Sequence, residues 1–300
     1  MALPDKVVTN ADLEATLDTS DQWIVERSGI RERRIGGTTS GLAVASGRAA
    51  LERAGADPAS VGLLVLATST PDQTLPATSA TVQHQLDLSC GAFDVNAACS
   101  SFVYSLVAAH QFVVGGVDRV LVIGSETMSR IIDWDDRSTA VLFGDGAGAF
   151  VVDAVDAPSD NLLAWDLGSN GALRSILDAD IGGFVQMEGK EVFRQAIRAV
   201  VDSAARVMAK AGVGPDDIAL VVPHQANVRI IDAVNAKLGF TLERTAVNLD
   251  RTGNTSAASI PMALVEAADA GRIAPGDLVL FLGFGAGMTW ASALVRWDPA

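Results

Sequence analysis

Apolar residues along this chain fall into short continuous runs, each preceded by a helical pattern and a turn, and the arrangement occurs twice. Residues 54–65 read AGADPASVGLLV, and residues 211–222 read AGVGPDDIALVV. In both segments the end of an amphipathic helix meets a turn with glycine and proline, which leads into a strand that is apolar throughout. Continuous apolar strands are typical of parallel sheets covered on both faces. The pattern therefore predicts an α/β protein.

Two later pairs of segments favour duplication of one α/β unit over chance similarity. DRVLVIG at 118–124 resembles DLVLFLG at 277–283, and AGAFVVD at 147–153 resembles ASALVRWD at 291–298. The members of the first pair predict a turn and a buried strand, and those of the second pair predict a strand that closes each copy. We interpret the chain as two copies of one unit whose loops differ in length.

The two copies meet at a loop, APSD at 157–160. We therefore assign residues 1–156 to an N-terminal half and residues 157–300 to a C-terminal half. The periodicity predicts two buried apolar helices and two amphipathic helices. The buried helices lie at 100–114 and 256–270, and the amphipathic helices lie at 41–54 and 191–211. The segment 165–187 shows no strong period and is predicted to be an irregular loop.

Composition and charge narrow the class of protein. Apolar residues make up 49% of the chain and aromatic residues 5%, so the core must consist mainly of small aliphatic side chains. The net charge of -14 argues against general nucleic-acid binding, because a phosphate backbone would be repelled. No signal pattern and no apolar run of ~18 residues is found, so we expect a cytoplasmic protein without a membrane span.

The two cysteines, Cys90 and Cys99, are too few for a disulfide scaffold, and an inert disulfide between them is the less favoured alternative. Cys99 lies where a predicted strand gives way to a buried helix. The unpaired N–H groups at a helix N-terminus favour a thiolate, which is the nucleophilic form. The alternative for each cysteine is an inert packing residue, and Cys90 fits it well.

Two polar residues of the second copy are further candidates. His224 directly follows a buried strand in VVPHQAN, and functional loops gather at strand ends in α/β folds. Asn254 lies in DRTGNTSAASIP, before the buried helix; a simple turn with a helix cap is its alternative. Because Cys99 and Asn254 precede matching helices, a duplicated fold brings them to one face together with His224. His84 and His110 lie in helical stretches and are interpreted as structural.

Other motifs carry less weight. GDGAG at 144–148 is superficially similar to a nucleotide-binding loop, but a strand rather than a helix is predicted to follow it. No cluster of residues has the spacing of metal ligands, so no metal is expected.

Several segments together resemble β-ketoacyl-[acyl carrier protein] synthase III, a condensing enzyme of the thiolase-like superfamily. They are SDQWIVERSGIRERRI, FDVNAACSSFVY, FGDGAGAF, VVPHQANVRII, NLDRTGNTSAASIP and LGFGAGMTWASALVRW, and the likeness extends from about residue 4 to the C-terminus. The resemblance implies a duplicated α/β fold with five layers, α-β-α-β-α. It also implies the initiating condensation of type II fatty-acid synthesis.

The resemblance implies a role for each candidate residue. Cys99 would take an acyl group from acyl-coenzyme A, and malonyl-acyl carrier protein would then lose carbon dioxide and attack the acyl-Cys99 thioester. His224 and Asn254 would stabilise the enolate. The backbone N–H groups of Cys99 and Ala286 would hold the oxyanion on the acyl carbonyl. No added cofactor is implied, and the implied assembly is a homodimer.

The same resemblance implies roles for residues outside this centre. Trp23 and Arg137 match positions around the adenine of coenzyme A, Arg27 matches a phosphate contact, and Asn227 matches the pantetheine tunnel. The match to a patch that docks acidic carrier protein comprises Arg229, Arg194 and Lys237, of which the last two are alternatively ordinary solvated helix charges. Leu75 matches a position that shapes the acyl pocket across the dimer interface.

The chain departs from the family pattern in three places. The family has an opening strand before ALPDKVVTN, so either that strand is missing from the sequence or the sheet of the first half is one strand short. The stretch between Gly171 and Met187, which in the family helps to cover the active site, is several residues shorter than usual. Ser101 stands where many members have glycine, and its side chain is expected to narrow the acyl pocket.

Three other functions compete with this interpretation. A degradative thiolase would need a second cysteine near the C-terminus, where LGFGAGMTW has none. A secondary-metabolite ketosynthase or acyltransferase with another acceptor would retain the cysteine and histidine, so it stays open. A non-catalytic partner subunit would usually lack Cys99, which argues against that class.

Overall fold

Two four-stranded sheets form the frame of the computed structural model, which describes residues 1–155 and 160–298. The strands are β1 Val7–Thr9, β2 Glu32–Arg34, β3 Leu63–Ala67, β4 Gly91–Val95, β5 Arg119–Thr127, β6 Asp145–Asp153, β7 Leu162–Ser169, β8 Leu177–Asp178, β9 Gln186–Met187, β10 Ile218–Pro223, β11 Leu278–Gly285 and β12 Thr289–Arg296. The α-helices are α1 Asn10–Glu14, α2 Asp21–Ser28, α3 Thr39–Arg53, α4 Thr78–Gln85, α5 Ser101–Val114, α6 Gly189–Ala211, α7 Val228–Leu238, α8 Leu249–Thr252 and α9 Ser259–Asp269.

The two sheets repeat one topology. The first has the order β4-β3-β5-β6 and the second the order β10-β11-β12-β7. In each, a parallel pair, β3 with β5 or β10 with β11, is followed by an antiparallel strand, β6 or β12. A helix, a glycine turn and a short 3-10 helix that starts at proline, Pro58–Ser60 or Pro215–Asp217, precede β3 and β10 alike. The elements predicted from the paired sequence segments are therefore confirmed.

Five layers stack in the order helix, sheet, helix, sheet, helix. The apolar helices α5 and α9 lie between the sheets, where Phe102 and Ile260 share one core with Val122 and Phe281 from the two sheets. A second core joins α3 and α4 to the outer face of the first sheet, and a third joins α6 and α7 to the second sheet. Aliphatic residues dominate all three cores, as the composition requires.

The segment 165–187 is more regular than predicted, and the expectation of an irregular loop is wrong. Leu162–Ser169 is β7, the edge strand beside β12, and Leu177–Met187 is a hairpin of β8 and β9. Side chains along β7 do not alternate cleanly between buried and exposed. Asp166, for example, accepts hydrogen bonds from Ser203 and Arg206 of α6. The strand therefore leaves little trace in the hydrophobic pattern.

Among the described residues, the β6 edge of the first sheet lacks a paired strand like the one that covers the β12 edge of the second sheet. β12 pairs along its length with β7, whereas the corresponding edge of β6 makes a single bridge, from Ala147 to Ala2, among the residues that the structure describes. Both sheets nevertheless have four strands among the described residues, since β4 extends the opposite edge of the first sheet. The alternatives drawn from the sequence therefore stay predictions.

Two other sequence expectations concern the boundary between the halves and the absence of a membrane span. The division between the halves at residue 156 falls within 156–159, outside the described residues, so it stays a prediction. In the described ranges, no helix combines the length and the apolar character needed to cross a bilayer.

Candidate active site

Three loops place the predicted site residues around one cavity. Cys99 lies between β4 and α5, His224 directly follows β10, and Asn254 lies between α8 and α9. All three side chains line a cavity of about 300 Å³. Its wall is mostly apolar and includes Phe193, Phe284 and residues of the β8–β9 hairpin such as Leu177 and Met187. The cavity can hold an extended apolar group with its polar end at the three side chains.

The turn that carries Cys99 is fastened from both halves of the chain. Ala98, just before it, has a φ of 49°, and Ser101 closes the turn by accepting from the N–H of Ala97 and donating to the carbonyl of Ala98, each at 2.6 Å. From the second half, Thr289 donates to the carbonyl of Ala97 at 2.9 Å and contacts the hydroxyl of Ser100 at 2.8 Å. Contacts within the protein alone therefore hold Cys99 in position.

Gly285 shows how closely the two halves approach at this point. A Cβ atom on Gly285 would lie 2.6 Å from the backbone nitrogen of Cys99 and 3.0 Å from the Cβ of Ala98. Only glycine permits this approach. It brings the turn with Ala286, which also lines the cavity, beside the backbone of Cys99.

Burial controls the ionisation of Cys99. Both cysteines are free thiols, so the alternative of a disulfide is wrong. Burial raises the pKa of the Cys99 thiol to about 12, against an opposing contribution from the Ser256 hydroxyl and with a smaller supporting one from the charge of Glu126. The predicted preference for thiolate therefore does not hold for the resting site, because desolvation outweighs the effect of the helix terminus.

His224 is held as a neutral hydrogen-bond donor. Burial lowers its pKa to about 3, so it carries no charge at neutral pH. Its Nδ1 lies 2.7 Å from the hydroxyl of Ser259, which also accepts from the N–H of Gln225. We assign the Ser259 hydrogen to Nδ1, which leaves the His224 proton on Nε2. The ring also packs edge-on against Phe284, with 5.1 Å between centroids.

Asn254 is oriented by its own loop. Its Oδ1 accepts from the N–H of Ser256 at 2.9 Å, which leaves Nδ2 as the atom that can donate to a ligand. Its backbone N–H donates to the carbonyl of Leu142, and its carbonyl accepts from the N–H of Gly144. His224 and Asn254 thus offer two neutral N–H donors beside Cys99, an arrangement suited to a developing oxyanion.

Comparison with known proteins agrees with this geometry. Two family models match, 3-oxoacyl-[acyl-carrier-protein (ACP)] synthase III at residues 93–171 and the C-terminal model of the same family at residues 208–297. The chain is 48% identical over 317 residues to beta-ketoacyl-[acyl-carrier-protein] synthase III of Roseiflexus sp. (strain RS-1), covering 99% of this chain and 96% of the relative. The chain belongs to the 3-oxoacyl-[acyl-carrier-protein] synthase III family.

Solved structures of similar proteins have the same fold. The crystal structure of 3-oxoacyl-[acyl-carrier-protein] synthase III from Aquifex aeolicus VF5 has a TM-score of 0.96 and 45% identity, covering 98% of this chain and 97% of that one. The priming beta-ketosynthase from the R1128 polyketide biosynthetic pathway has a TM-score of 0.94 and 38% identity, covering 100% and 95%. The predicted family, its duplicated fold and its class as a condensing acyltransferase are confirmed.

The positions that match coenzyme A contacts in the synthase III family lie together. Arg27 and Arg137 both face the ring of Trp23, with their guanidinium carbons 4.4 Å and 5.3 Å from its centroid. Asn227 lines the cavity and donates from Nδ2 to the carbonyl of Arg27 at 2.8 Å. The cluster of Trp23, Arg27 and Arg137 is therefore connected to the cavity through Asn227.

The positions that match the carrier-protein patch of the family lie on α6 and α7. Arg229 and Lys237 are eight residues apart on α7, which places them on one helical face. Arg229 lies over the ring of Phe193, a cavity residue, with 5.7 Å to the centroid. Arg194 follows Phe193 on α6 and is paired with Glu191 at 2.7 Å.

One of two expectations about the acyl pocket is wrong, and the other, which concerns a dimer interface, stays a prediction. Ser101 is fully buried and is not among the cavity-lining residues; its hydroxyl points into the Cys99 turn, so the expected narrowing of the pocket is wrong. Leu75 is 84% exposed and also lies outside the cavity of this single chain.

Sequence reasoning missed several polar groups that support the site. Ser259 orients His224, Ser256 orients Asn254, and Thr289 fastens the Cys99 turn. Ser256 and Ser259 follow a Gly-Asn turn and resemble ordinary helix caps, and Thr289 begins a strand, so nothing in the sequence marks them. Glu126 could have been found from the sequence, because a carboxylate at the end of the apolar run VLVIGSET needs a buried partner.

Proposed function

We propose that this protein transfers an acyl group from acyl-coenzyme A to Cys99 and condenses it with malonyl-acyl carrier protein, releasing carbon dioxide and β-ketoacyl-acyl carrier protein. This is the initiating condensation of type II fatty-acid synthesis. The observation that carries the proposal is the meeting of Cys99, His224 and Asn254 on one apolar cavity in a synthase III fold. The cytoplasmic location expected from the sequence is part of the same proposal.

In the acylation step, the sulfur of Cys99 attacks the thioester carbon of acyl-coenzyme A. The carbon–sulfur bond to coenzyme A breaks, and coenzyme A leaves as a thiol with the proton that Cys99 gives up. Backbone N–H groups of Cys99 and Ala286 stabilise the oxyanion of the tetrahedral intermediate. The close approach at Gly285 supports this pairing, because it places the Ala286 turn next to Cys99.

In the condensation step, the malonyl carboxylate leaves as carbon dioxide and its electron pair forms the enolate of the carrier thioester. Nε2–H of His224 and Nδ2–H of Asn254 donate to the enolate oxygen. The enolate carbon then attacks the acyl-Cys99 carbonyl, a carbon–carbon bond forms, and Cys99 leaves as the thiolate. Decarboxylation supplies the carbanion, so the proposed reaction needs no added cofactor.

Substrate delivery is proposed to use the two groups of basic residues. The planar Trp23 ring with Arg27 and Arg137 suits a nucleotide, since guanidinium groups bind phosphate and stack on aromatic rings. Asn227 would guide the pantetheine arm into the cavity. Arg229, Arg194 and Lys237 would dock the acidic carrier protein.

Reversal of charge at Arg229 tests the docking surface. We expect Arg229→Glu to raise the KM for malonyl-acyl carrier protein about tenfold, because repulsion would replace attraction at the interface, and to change the KM for acyl-coenzyme A much less. Steady-state kinetics with each substrate varied in turn would measure this. Arg48→Glu, on the outer helix α3, is the matched control and should change neither constant. An equal rise for both substrates with Arg229→Glu would contradict a docking role.

A homodimer is the assembly that we propose for this chain. The outer edge of β4 has no strand partner among the described residues, and Phe93 of β4 packs on the 42%-exposed Phe112. Val114 and Leu75 add exposed apolar surface in the same region, because the loop after Leu75 leads to Thr78, whose N–H donates to Asp94 of β4. Leu75 would then reach the acyl pocket of the partner copy. Sedimentation of the purified protein as a monomer would refute the assembly.

A second candidate is a priming ketosynthase of secondary metabolism. The 38% identity to the polyketide priming enzyme supports this candidate. A degradative thiolase is less favoured because LGFGAGMTW offers no second cysteine. The two candidate functions differ in the acceptor of the acyl group. Higher identity to the fatty-acid enzymes supports the first function.

Intact-mass measurement can distinguish the candidates. The protein would be exposed to a panel of acyl-coenzyme A thioesters and then chased with malonyl-acyl carrier protein. We expect a single acyl adduct that disappears as β-ketoacyl-carrier product forms, and the adduct that forms fastest would identify the primer. An adduct that survives the chase would favour another acceptor. The absence of any adduct would contradict the proposed function.

A further inference from the structure

Arg33 is a fully buried arginine on β2, in the segment IRERRI, and in the part of the chain that the structure describes its hydrogen bonds all go to uncharged oxygens. Nη1 donates to the carbonyl of Val8 at 3.1 Å, Nη2 donates to the carbonyl of Val141 at 2.8 Å, and both donate to Oδ1 of Asn10 at 2.9 Å. Burial lowers the pKa of Arg33 to about 10, so the guanidinium keeps its charge at neutral pH. These contacts therefore carry a desolvation cost that an apolar side chain would avoid.

The carbonyl that Nη2 contacts is the first in segment 141–144, and this segment holds the backbone of Asn254. The N–H of Asn254 donates to the carbonyl of Leu142 at 2.8 Å, and the N–H of Gly144 donates to the carbonyl of Asn254 at 3.0 Å. Between these two bonds, Phe143 and Asn254 pair as a parallel bridge. Leu142, Phe143 and Asn254 all line the cavity. Segment 141–144 therefore sets the position of Asn254 in the cavity wall.

The aliphatic stem of Arg33 supports the same bridge from a second direction. A Cβ atom on Gly253, the residue before Asn254, would lie 3.1 Å from the Cβ of Arg33, and one on Gly144 would lie 3.2 Å from it. These two glycines belong to opposite sides of the bridge. One side chain thus fixes both sides, with its stem against the two glycines and its guanidinium on the carbonyl at the start of segment 141–144.

We propose that Arg33 is a positioning residue for Asn254, which it holds so that Nδ2 points at the enolate oxygen during condensation. Arg33 touches no substrate itself, because it is fully buried and is not among the cavity-lining residues. A misplacement of about 1 Å in a catalytic group can cost about 10²-fold in rate, so a support of this kind matters for the reaction. The inference rests on the proposed role of Asn254 as a donor to the enolate.

The turn that carries Cys99 is independent of these contacts. It is held by Ser101 and Thr289, and among the described residues neither side chain is bonded to Arg33 or to segment 141–144. A change at Arg33 should therefore act on the enolate donor and spare the nucleophile.

The test begins with Arg33→Met, which keeps an unbranched stem and removes the hydrogen-bond donors. We expect condensation to slow about tenfold, while single-turnover acylation at saturating acyl-coenzyme A stays within about twofold of the parent rate. Arg33→Lys keeps the charge and can still donate to part of the same set of oxygens, so it should slow condensation by only about three- to fivefold. This conservative variant decides the question if Arg33→Met does not fold.

The same substitutions in an Asn254→Ala background show whether Arg33 acts through Asn254. With the donor removed, a change at Arg33 should slow condensation by no more than about twofold further, because no side chain is left to position. A residue that contributes to stability alone would add its full loss in both backgrounds.

Arg244→Met is the matched control. Arg244 is a partly buried arginine that donates through Nη2 to the carbonyls of Pro215 and Ile218, away from the cavity lining. Its replacement should lower the Tm and leave the ratio of the condensation rate to the acylation rate unchanged.

An unchanged ratio of condensation to acylation in folded Arg33 variants would overturn the proposal. A full further loss of condensation in the Asn254→Ala background would overturn it as well. Failure of the proposed function would be recognised separately, in the parent protein, as the absence of acylation at Cys99 or of β-ketoacyl product.

Discussion

Replacement of Cys99 by alanine is expected to abolish self-acylation by acyl-coenzyme A, with a loss of about a thousandfold or more in the rate of condensation. No other side chain on the cavity wall is a thiol, so no second thioester can form there. Intact-mass analysis would show an unmodified protein. Decarboxylation of the malonyl thioester should persist, because His224 and Asn254 are untouched.

The matched control for this variant is Cys90→Ala. Cys90 is half-buried just before β4 and lies outside the cavity, so its loss should leave acylation unchanged. Circular dichroism should show both variants folded, because each replaces sulfur by a smaller apolar group. An acyl adduct that persists in the Cys99 variant would refute the assignment of the nucleophile.

Asn254→Ala should separate the two half-reactions. Removal of one of the two donors to the enolate oxygen is expected to slow condensation by about 10²- to 10³-fold. Acylation of Cys99 should change only a few-fold, because its oxyanion is held by backbone N–H groups. Single-turnover acylation and steady-state condensation, measured on the same preparation, would give the two rates.

Asn248→Ala is the control for this second prediction. Asn248 is an equally buried asparagine six residues earlier in the chain, but it does not line the cavity. Replacement of Asn248 can be compared directly with replacement of Asn254. It should leave the ratio of the condensation rate to the acylation rate near that of the parent protein. Equal losses of acylation and condensation in Asn254→Ala would count against the proposed division of roles.

The paired sequence segments predicted most of the fold because each copy buries its strands on both faces. Apolar runs such as those of β3 and β10 depend on that burial alone, so they are visible without a structure. β7 could not be found in this way, because it is an edge strand whose polar Asp166 is satisfied by α6. Contacts that join distant parts of the chain leave no periodic signal.

The same distinction applies to the site. Cys99, His224 and Asn254 follow predicted strands or precede predicted helices, so the topology alone suggested that they meet, while their catalytic roles stay predictions. The ionisation of Cys99 was misjudged because helix position is visible in sequence, whereas the extent of desolvation is not. The bond between His224 and Ser259 joins residues 35 positions apart and requires coordinates.

The lack of charge on His224 has a consequence for the chemistry of carbon dioxide release. A malonyl group enters with its negative charge on the carboxylate, and in the transition state this charge moves towards the thioester oxygen. A cationic imidazolium would attract the starting carboxylate and so stabilise the reactant as well. Neutral donors aimed at the thioester oxygen stabilise the negative charge only after it has moved there. The buried, uncharged imidazole therefore stabilises the transition state of decarboxylation more than it stabilises the bound malonyl carboxylate.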